Sequence, residues 1–157
     1  MPNLVDHLSW REVLRGSGYD SPADVPEVVA LRMEAAAEAL FQPVRDAWGG
    51  PLEVVSALRS PEVNKACGGS SKSRHMAGDA FDLRPSKRGR EPGDIYRLYR
   101  LIERLQDSGA IPAGGLAIYL KKDGGERFVH ADGRGRRARW NSGHLKRATT
   151  QYKSETT

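Results

Sequence analysis

Two histidines and one aspartate are the residues of this chain whose types and spacing could bind a metal ion. His75 and Asp82 are separated by a loop that leads into a predicted strand, and His130 comes from a distant strand. Two imidazoles and one carboxylate give three protein ligands and leave a fourth tetrahedral position open, as catalytic zinc requires. Zinc lowers the pKa of a bound water toward about 7 and polarises a carbonyl oxygen. The pattern therefore predicts hydrolysis of a peptide or amide bond.

Short strands are predicted to position these residues, at Asp79–Leu83, Gly115–Leu120 and Arg127–Asp132. An Asp-Gly-Gly turn joins the last two into a hairpin, and another strand is predicted at Leu52–Ser56. Side chains alternate between the two faces of a strand, so His130 shares a face with the carboxylate that ends its strand. The matching face of the neighbouring strand is mostly glycine and alanine. We expect this side of the sheet to leave space for a ligand.

Helices are predicted to precede and cover the sheet. The clearest runs from Pro26 to Trp48, where apolar residues recur at three- and four-residue steps, with a kink at Pro43. Shorter helices are predicted at Leu8–Leu14 and Pro61–Cys67, and one at Asp94–Asp107 has a single apolar face. The predicted fold class is α+β, with a small antiparallel sheet packed against N-terminal and central helices.

Composition limits the class of protein. A chain of 157 residues, 38% hydrophobic and 29% charged, is typical of one folded domain, predicted at 1–150 with a flexible tail at 151–157. We expect neither a membrane span nor a Sec-type leader, because no run of 18 apolar residues occurs and the N-terminus lacks a basic cluster followed by an apolar core. The single cysteine, Cys67, excludes an internal disulfide and is interpreted as a small packing residue.

The net charge of +5 predicts an anionic partner. One basic cluster, Arg84 to Arg90, precedes the last predicted helix, and another, Arg134 to Arg139, follows the last predicted strand. Neither cluster has the interleaved aromatic residues or the recognition helix of a nucleic-acid-binding protein, so no nucleic-acid partner is expected. Both are interpreted as solvated loops, which could also attract anionic polymers of a cell wall.

Four ordered segments resemble one family. The segment from Ser73 to Asp82 resembles the motif S-x-H-x-x-G-x-A-x-D of the zinc D-alanyl-D-alanine carboxypeptidases, which cleave peptidoglycan peptides. Upstream, Ser56 to Asn64 resembles S-G-Y-R-S-P-x-x-N, although Ala57 and Leu58 replace the usual Gly and Tyr. Downstream, Gly114 to Tyr119 and Phe128 to Asp132 resemble G-G-x-G-x-Y and F-V-H-x-D. The resemblance spans roughly Leu8 to Trp140.

This resemblance implies a hedgehog/D-Ala-D-Ala peptidase-like fold and one zinc ion held by His75, Asp82 and His130. It also implies that Ser73 hydrogen-bonds the substrate. Arg59 would face the developing oxyanion or a substrate carboxylate, since a guanidinium holds planar oxygens bidentately.

The general base is where this chain departs from the family pattern. Many relatives carry Glu three residues before the last histidine ligand, where this chain has Arg127. Asp132 lies two residues after His130 on the same strand face, and we favour it as the base over Glu126; its alternative role is to orient the histidine. Tyr119 either contacts the substrate or packs as an aromatic.

The predicted function is a zinc-dependent peptidase that hydrolyses peptidoglycan stem peptides, as a D-Ala-D-Ala carboxypeptidase or an endopeptidase. We expect a monomer that acts on the cell wall, either as a phage endolysin or as a bacterial enzyme exported by a non-Sec route. The alternative is a non-catalytic zinc-binding domain with a structural or partner-binding role.

Overall fold

The computed structural model describes residues 1–141, which form an α+β fold of helices packed on a five-stranded sheet. The strands are β1 (Asn3–Val5), β2 (Leu8–Ser9), β3 (Leu52–Ser56), β4 (Ala80–Pro85), β5 (Gly115–Leu120), β6 (Glu126–Asp132) and β7 (Ala138–Asn141). The helices are α1 (Trp10–Leu14), α2 (Glu27–Ala36), α3 (Gln42–Trp48), α4 (Pro61–Ala66), α5 (Arg74–Ala77) and α6 (Asp94–Ser108). The predicted tail, 151–157, lies outside the described residues.

The first helix is shorter than the sequence predicts. Leu8–Ser9 pairs with Asn3–Val5 as a small antiparallel ribbon, and the helix begins only at Trp10. Ser9 is the N-cap, because its hydroxyl accepts from the backbone N–H of Glu12 while the Glu12 carboxylate accepts from the backbone N–H of Ser9. This capping box fixes the start of the helix two residues later than the apolar pattern indicates.

The predicted long helix over Pro26–Trp48 is present in three parts. Between α2 and α3 the chain forms a π-helical segment, Ala37–Phe41, which ends two residues before Pro43. Proline lacks an N–H and its ring clashes with the carbonyl one turn earlier, and a widened turn relieves both problems. The helix therefore continues past the proline to Trp48, where Gly49 in the left-handed conformation (φ 76°) ends it.

The main sheet has the strand order β3-β4-β6-β5-β7. The first four strands are antiparallel to their neighbours, as predicted, but β7 pairs in parallel with β5 and makes the sheet mixed. The predicted antiparallel sheet is therefore confirmed for four strands, and the parallel strand at this edge was not predicted. The sequence analysis placed Arg134 to Arg139 in a basic loop and predicted no strand after Asp132, because a strand of four residues gives only a short alternating pattern.

The two faces of the sheet have different roles. Leu83, Leu116 and Val129 are fully or almost fully buried on one face, where α6 packs through Ile95 and Leu98. The opposite face carries polar residues that are also buried, including the candidate metal ligands. Within residues 1–141, no helix is long and apolar enough to cross a membrane.

Candidate metal centre

His75 lies in α5, a four-residue helix that the sequence analysis treats as a loop. Ser73 caps this helix, since its hydroxyl accepts from the backbone N–H of His75 at 3.3 Å. The chain then turns at Gly78 (φ +93°), where an added Cβ would lie 2.6 Å from the carbonyl oxygen of Val29. Only glycine fits this turn, which leads directly into β4. The imidazole is thereby fixed at the polar face of the sheet.

Asp82 and His130 are directly opposite each other on the neighbouring strands β4 and β6. The same row continues across the sheet to Ala117 on β5 and Trp140 on β7. Because alanine is small, it leaves room beside His130, and the Trp140 ring lies 5.0 Å from the imidazole. Strand register therefore brings together two candidate ligands that are 48 residues apart in sequence.

The hydrogen bonds of both histidines assign their tautomers. Nδ1 of His75 lies 2.6 Å from the carbonyl oxygen of Ala57, which only accepts, so Nδ1 carries the proton. Nε2 of His130 lies 2.8 Å from a carboxylate oxygen of Asp132, so here Nε2 carries the proton. When both rings are neutral, the unprotonated nitrogens are then Nε2 of His75 and Nδ1 of His130. Outer-sphere partners of this kind are what metal-binding histidines require.

These two nitrogens and the Asp82 carboxylate form a set of donors suited to a metal. Oδ1 of Asp82 lies 3.2 Å from Nε2 of His75 and 3.0 Å from Nδ1 of His130. One ligand atom from each residue lies within 4.8 Å of the others, and all three residues are buried. Three lone pairs facing one another repel unless a positive charge lies among them. Two imidazoles and a carboxylate therefore fit a zinc ion at this point.

Asp132 lies behind His130 and is held from several sides. Its carboxylate accepts from the backbone N–H of Gly115 at 2.9 Å and from Nε and Nη2 of Arg134 at 2.9 and 2.8 Å. Its side chain has no exposed surface. A Cβ on Gly115 would lie 2.3 Å from Oδ2 of Asp132, so the glycine permits this close approach. Asp132 is thereby rigidly aimed at Nε2 of His130.

The charges of the site are tightly coupled. Burial raises the pKa of Asp82, but hydrogen bonds with His130 and His75 outweigh it and lower that pKa to about 2. Burial lowers the pKa of His130, but its bonds to Asp132 and Asp82 leave the pKa above the ordinary value of 6.5. For Asp132, burial is outweighed by His130, Arg134 and the Gly115 N–H, which hold its pKa well below the usual range. Both carboxylates are therefore ionised at neutral pH.

The donor set opens into a cleft of about 600 Å³. Five cationic side chains line it: Arg59, Lys72, Arg74, Arg134 and Arg136. Asp82 is the only carboxylate among the lining residues that the structure describes. The cleft is therefore electropositive and large enough for part of a peptide, and it favours a ligand that carries carboxylates.

The residues predicted to contact substrate lie in or beside this cleft. Nη2 of Arg59 lies 4.0 Å from Oδ2 of Asp82, and Nη1 donates to the Asn64 side chain at 3.1 Å. Tyr119 lines the cleft, and its hydroxyl accepts from Nε1 of Trp140 at 2.8 Å, which leaves the hydroxyl proton free to donate. Ser73 also lines the cleft, where its hydroxyl is already used to cap α5.

The two residues considered as general base occupy different places. Asp132 contacts His130 and does not line the cleft. Glu126 lies at the other end of β6, where its carboxylate accepts from the backbone N–H of Ile95 at the start of α6. Burial, the largest effect, leaves the pKa of Glu126 above its ordinary value. This geometry favours the orienting role for Asp132. The Glu126 carboxylate instead binds the N-terminus of α6.

The two basic clusters are not simply solvated loops. In the first cluster, Arg84 makes a bidentate pair with Glu53 at 2.8 Å. In the second, Arg134 binds Asp132, and Arg137 and Arg139 approach Glu103 on α6 at 3.5 Å. The loop interpretation is wrong for Arg84 and Arg139, which lie in β4 and β7. Arg134 and Arg137 lie in the loop between β6 and β7, as predicted, but both form ion pairs there. Arg134 was missed as a site residue because it was grouped with the basic cluster, although it lies two residues from Asp132.

Cys67 was wrongly interpreted as a packing residue. It is the C-cap of α4, is exposed and lines the cleft. Its thiol donates to the carbonyl oxygen of Asn64, which lies in the last turn of α4, at 3.4 Å. Carbonyl groups at the C-terminal end of a helix have no partner within the helix and bind such neighbouring donors.

A family model described as peptidase M15 matches residues 6–109, more than half of the 157-residue chain. The match includes His75 and Asp82, and it ends at Gly109, before the strand that carries His130. No curated protein matches the sequence significantly.

Proposed function

The chain belongs to the peptidase M15 family of zinc peptidases, which includes D-alanyl-D-alanine carboxypeptidases, and from this we propose that it hydrolyses a peptide bond in peptidoglycan stem peptides. The observation that carries the proposal is the convergence of three possible ligand atoms, from His75, Asp82 and His130, at the base of an electropositive cleft. A buried donor set with an open side is the arrangement of a catalytic metal, whereas a structural zinc site is closed by four protein ligands.

His75, Asp82 and His130 would hold the zinc ion, which when bound supplies an activated water and polarises the carbonyl of the scissile bond. The remaining residues act around it. Ala57 and Asp132 keep the two imidazoles in the tautomers that present lone pairs to the metal. Arg134 and the Gly115 N–H keep Asp132 ionised and in place.

Arg59 and Tyr119 supply donors to the substrate. The Arg59 guanidinium lies beside Asp82, so it reaches a carbonyl oxygen or carboxylate placed next to the metal. Tyr119 offers its hydroxyl proton from the other side of the cleft, with the indole of Trp140 fixing the oxygen. Both residues stabilise negative charge that develops on the substrate during peptide hydrolysis.

The cationic lining points to the class of peptide. Lys72 and Arg136 are exposed and line the cleft, and their side chains make no ion pair or hydrogen bond within residues 1–141. They are available to bind carboxylates, which stem peptides carry at their side chains and C-terminus. Cleavage as a carboxypeptidase or as an endopeptidase uses the same donor set. Either activity requires that the protein reach the cell wall, and action as a phage endolysin requires the same.

Digestion of purified muropeptides tests this proposal. The wild-type protein should release fragments that mass spectrometry identifies, a chelator should stop the reaction and added zinc should restore it. His75→Ala should abolish cleavage, whereas His7→Ala, a change at an exposed histidine, should not. Release of one alanine residue would identify a carboxypeptidase, and release of larger fragments an endopeptidase. Stoichiometric zinc without any cleavage would overturn the proposal in favour of a non-catalytic zinc-binding domain.

A further inference from the structure

Asn64 of α4 is buried behind the wall of the cleft, with 3% of its surface exposed. It does not line the cleft itself, but it contacts Arg59, Gly69 and Ser70, which do. A buried carboxamide needs partners for both its oxygen and its NH2 group. The partners of Asn64 belong to two parts of the cleft wall, the segment before α4 and the loop after it.

The Asn64 oxygen holds the guanidinium of Arg59. Oδ1 accepts from Nη1 of Arg59 at 3.1 Å, which is the shortest contact of this guanidinium with residues 1–141. Nη1 also lies 3.6 Å from the sulfur of Cys67, whereas Nη2 lies 4.0 Å from Oδ2 of Asp82. With Nη1 bound to Asn64, Nη2 is the nitrogen next to the candidate metal ligand. Because the amide is neutral, it aligns the guanidinium without cancelling the positive charge that stabilises a developing oxyanion.

The Asn64 NH2 group binds the loop between α4 and α5. Nδ2 donates to the carbonyl oxygen of Ser70 at 2.9 Å, and the same oxygen accepts from the backbone N–H of Ser73 at 2.9 Å. The Asn64 carbonyl oxygen accepts from the backbone N–H of Gly69, also at 2.9 Å. Since a guanidinium only donates and a carbonyl oxygen only accepts, one orientation of the amide satisfies both Arg59 and Ser70. The loop therefore fixes the Asn64 side chain in the orientation that binds Arg59.

Gly69 leaves the space in which Asn64 and Arg59 meet. An added Cβ would overlap Oδ1 of Asn64, and it would lie 2.8 Å from Cγ of Asn64 and 3.0 Å from Nη1 of Arg59. The backbone at Gly69 is not left-handed, so crowding against these two side chains, and not backbone strain, excludes a larger residue. A substitution in the loop can therefore disturb the contact without removing either partner.

We propose that Asn64 is a positioning residue for Arg59, which sets where the guanidinium meets the substrate. The role of Arg59 in the reaction rests on the proposed function, but its alignment by Asn64 exists with or without turnover. A group displaced by about 1 Å from its productive position can cost about 10²-fold in rate. Asn64→Leu, which removes the oxygen and the NH2 group at similar volume, should therefore lower kcat/KM about 10²-fold. Gly69→Ala, which crowds the contact, should lower it in the same direction.

A double-mutant cycle tests whether Asn64 acts through Arg59. Hydrolysis of muropeptides by Asn64→Leu and by Gly69→Ala is measured with Arg59 present and in the Arg59→Gln background. Without Arg59, each change should cost no more than about twofold in kcat/KM, since residues that act together are not additive. Asn3→Leu, at an exposed asparagine, should cost nothing in either background. Equal losses in both backgrounds, or loss of zinc from Asn64→Leu, would overturn the proposal.

The order of the Arg59 side chain gives a second readout that needs no turnover. In purified, nitrogen-15-labelled protein, the Nε–H signal that disappears in Arg59→Gln belongs to Arg59. Its NMR order parameter should be that of a rigid group in the wild type and in Asn3→Leu, and should fall below about 0.6 in Asn64→Leu. A rigid Arg59 in Asn64→Leu would overturn the proposal, whereas loss of order in a protein that cleaves no peptide would contradict only the proposed function. If thermal unfolding shows that Asn64→Leu does not fold, Gly69→Ala provides both measurements.

Discussion

Nε2 of His130 and Oδ2 of Asp132 lie 2.8 Å apart, and the two residues lie on the same face of β6. The pair fixes the imidazole so that Nδ1, and not Nε2, faces Asp82. Asp132 is fully buried and itself anchored by Arg134. This relationship makes Asp132 a positioning residue for the candidate metal ligand.

Replacing Asp132 by Asn should weaken zinc binding. The neutral amide holds the His130 N–H less strongly and lowers its basicity, and loss of such an outer-sphere partner costs about 10- to 100-fold in metal affinity. Competition with a fluorescent zinc chelator measures the effect. The control is Asp123→Asn, at an exposed aspartate in the β5–β6 hairpin. Unchanged zinc affinity with a large fall in kcat would instead assign Asp132 as a general base.

Replacing Gly115 by Ala should disturb the same contact from the other strand. The added methyl would lie 2.3 Å from Oδ2 of Asp132 and 2.9 Å from the Trp140 ring. Overpacking of a buried site costs about 1–3 kcal/mol of unfolding free energy. Urea denaturation of the chelator-treated protein measures this cost. Gly50→Ala, whose Cβ would meet only ordinary contacts at 3.8 Å, should leave stability nearly unchanged. Equal stability of the two variants would contradict the packing described here.

Replacing Arg59 by Gln should lower kcat/KM without removing zinc. Loss of one preorganised donor to a developing oxyanion costs about 10²- to 10³-fold in rate. Arg59→Lys should recover part of the activity because it keeps the charge but not the fork. Arg84→Gln, which breaks a pair with Glu53 outside the cleft, should retain activity. Loss of zinc from the Arg59 variants would show that this residue supports the metal site and not the substrate.

Metal-free protein should lose stability as pH rises above neutrality. The pKa of His130 is raised in the folded protein, so its protonated form contributes stability that is complete below the ordinary pKa of 6.5 and disappears as pH passes the folded value. Zinc binding requires the unprotonated nitrogen and should strengthen over the same interval. Chemical denaturation with and without chelator from pH 5.5 to 8.5 checks both trends. His130→Gln should flatten the metal-free profile, and a wild-type profile already flat over this interval would contradict the assignment.

At acid pH, the ionisation of Asp82 separately limits the stability of the metal-free protein. Its folded pKa of about 2 lies below the ordinary value of 3.8, so its contribution to stability is present above 3.8 and is lost as pH falls toward 2. The two groups therefore affect the metal-free protein in different pH intervals.

Much of the polar face of the sheet could be predicted from the sequence. Alternation along β5 and β6 placed His130, Asp132 and Tyr119 together, and the observed register agrees. Signals of this kind are local, since a period of two assigns faces without knowledge of the neighbouring strand. The capped helix at Pro61–Ala66 was predicted for the same reason, from Ser60 and a proline at its first position.

Other features depend on contacts between distant residues. The pairing of β7 with β5 follows from how the chain returns to the sheet after β6. No local pattern in the sequence indicates that the chain returns to the sheet in this way. The partners of Arg84 and Arg137 are likewise 31 and 30 residues away, so the sequence displayed only an excess of positive charge.

The zinc content of the purified protein tests the account most directly. Inductively coupled plasma mass spectrometry after gel filtration should find one zinc ion per chain in the wild type. Asp82→Ala should retain little zinc, while Asp123→Ala should retain as much as the wild type. A wild-type protein without zinc after incubation with the metal, or an Asp82→Ala variant that still holds one ion per chain, would contradict a metal centre built from His75, Asp82 and His130.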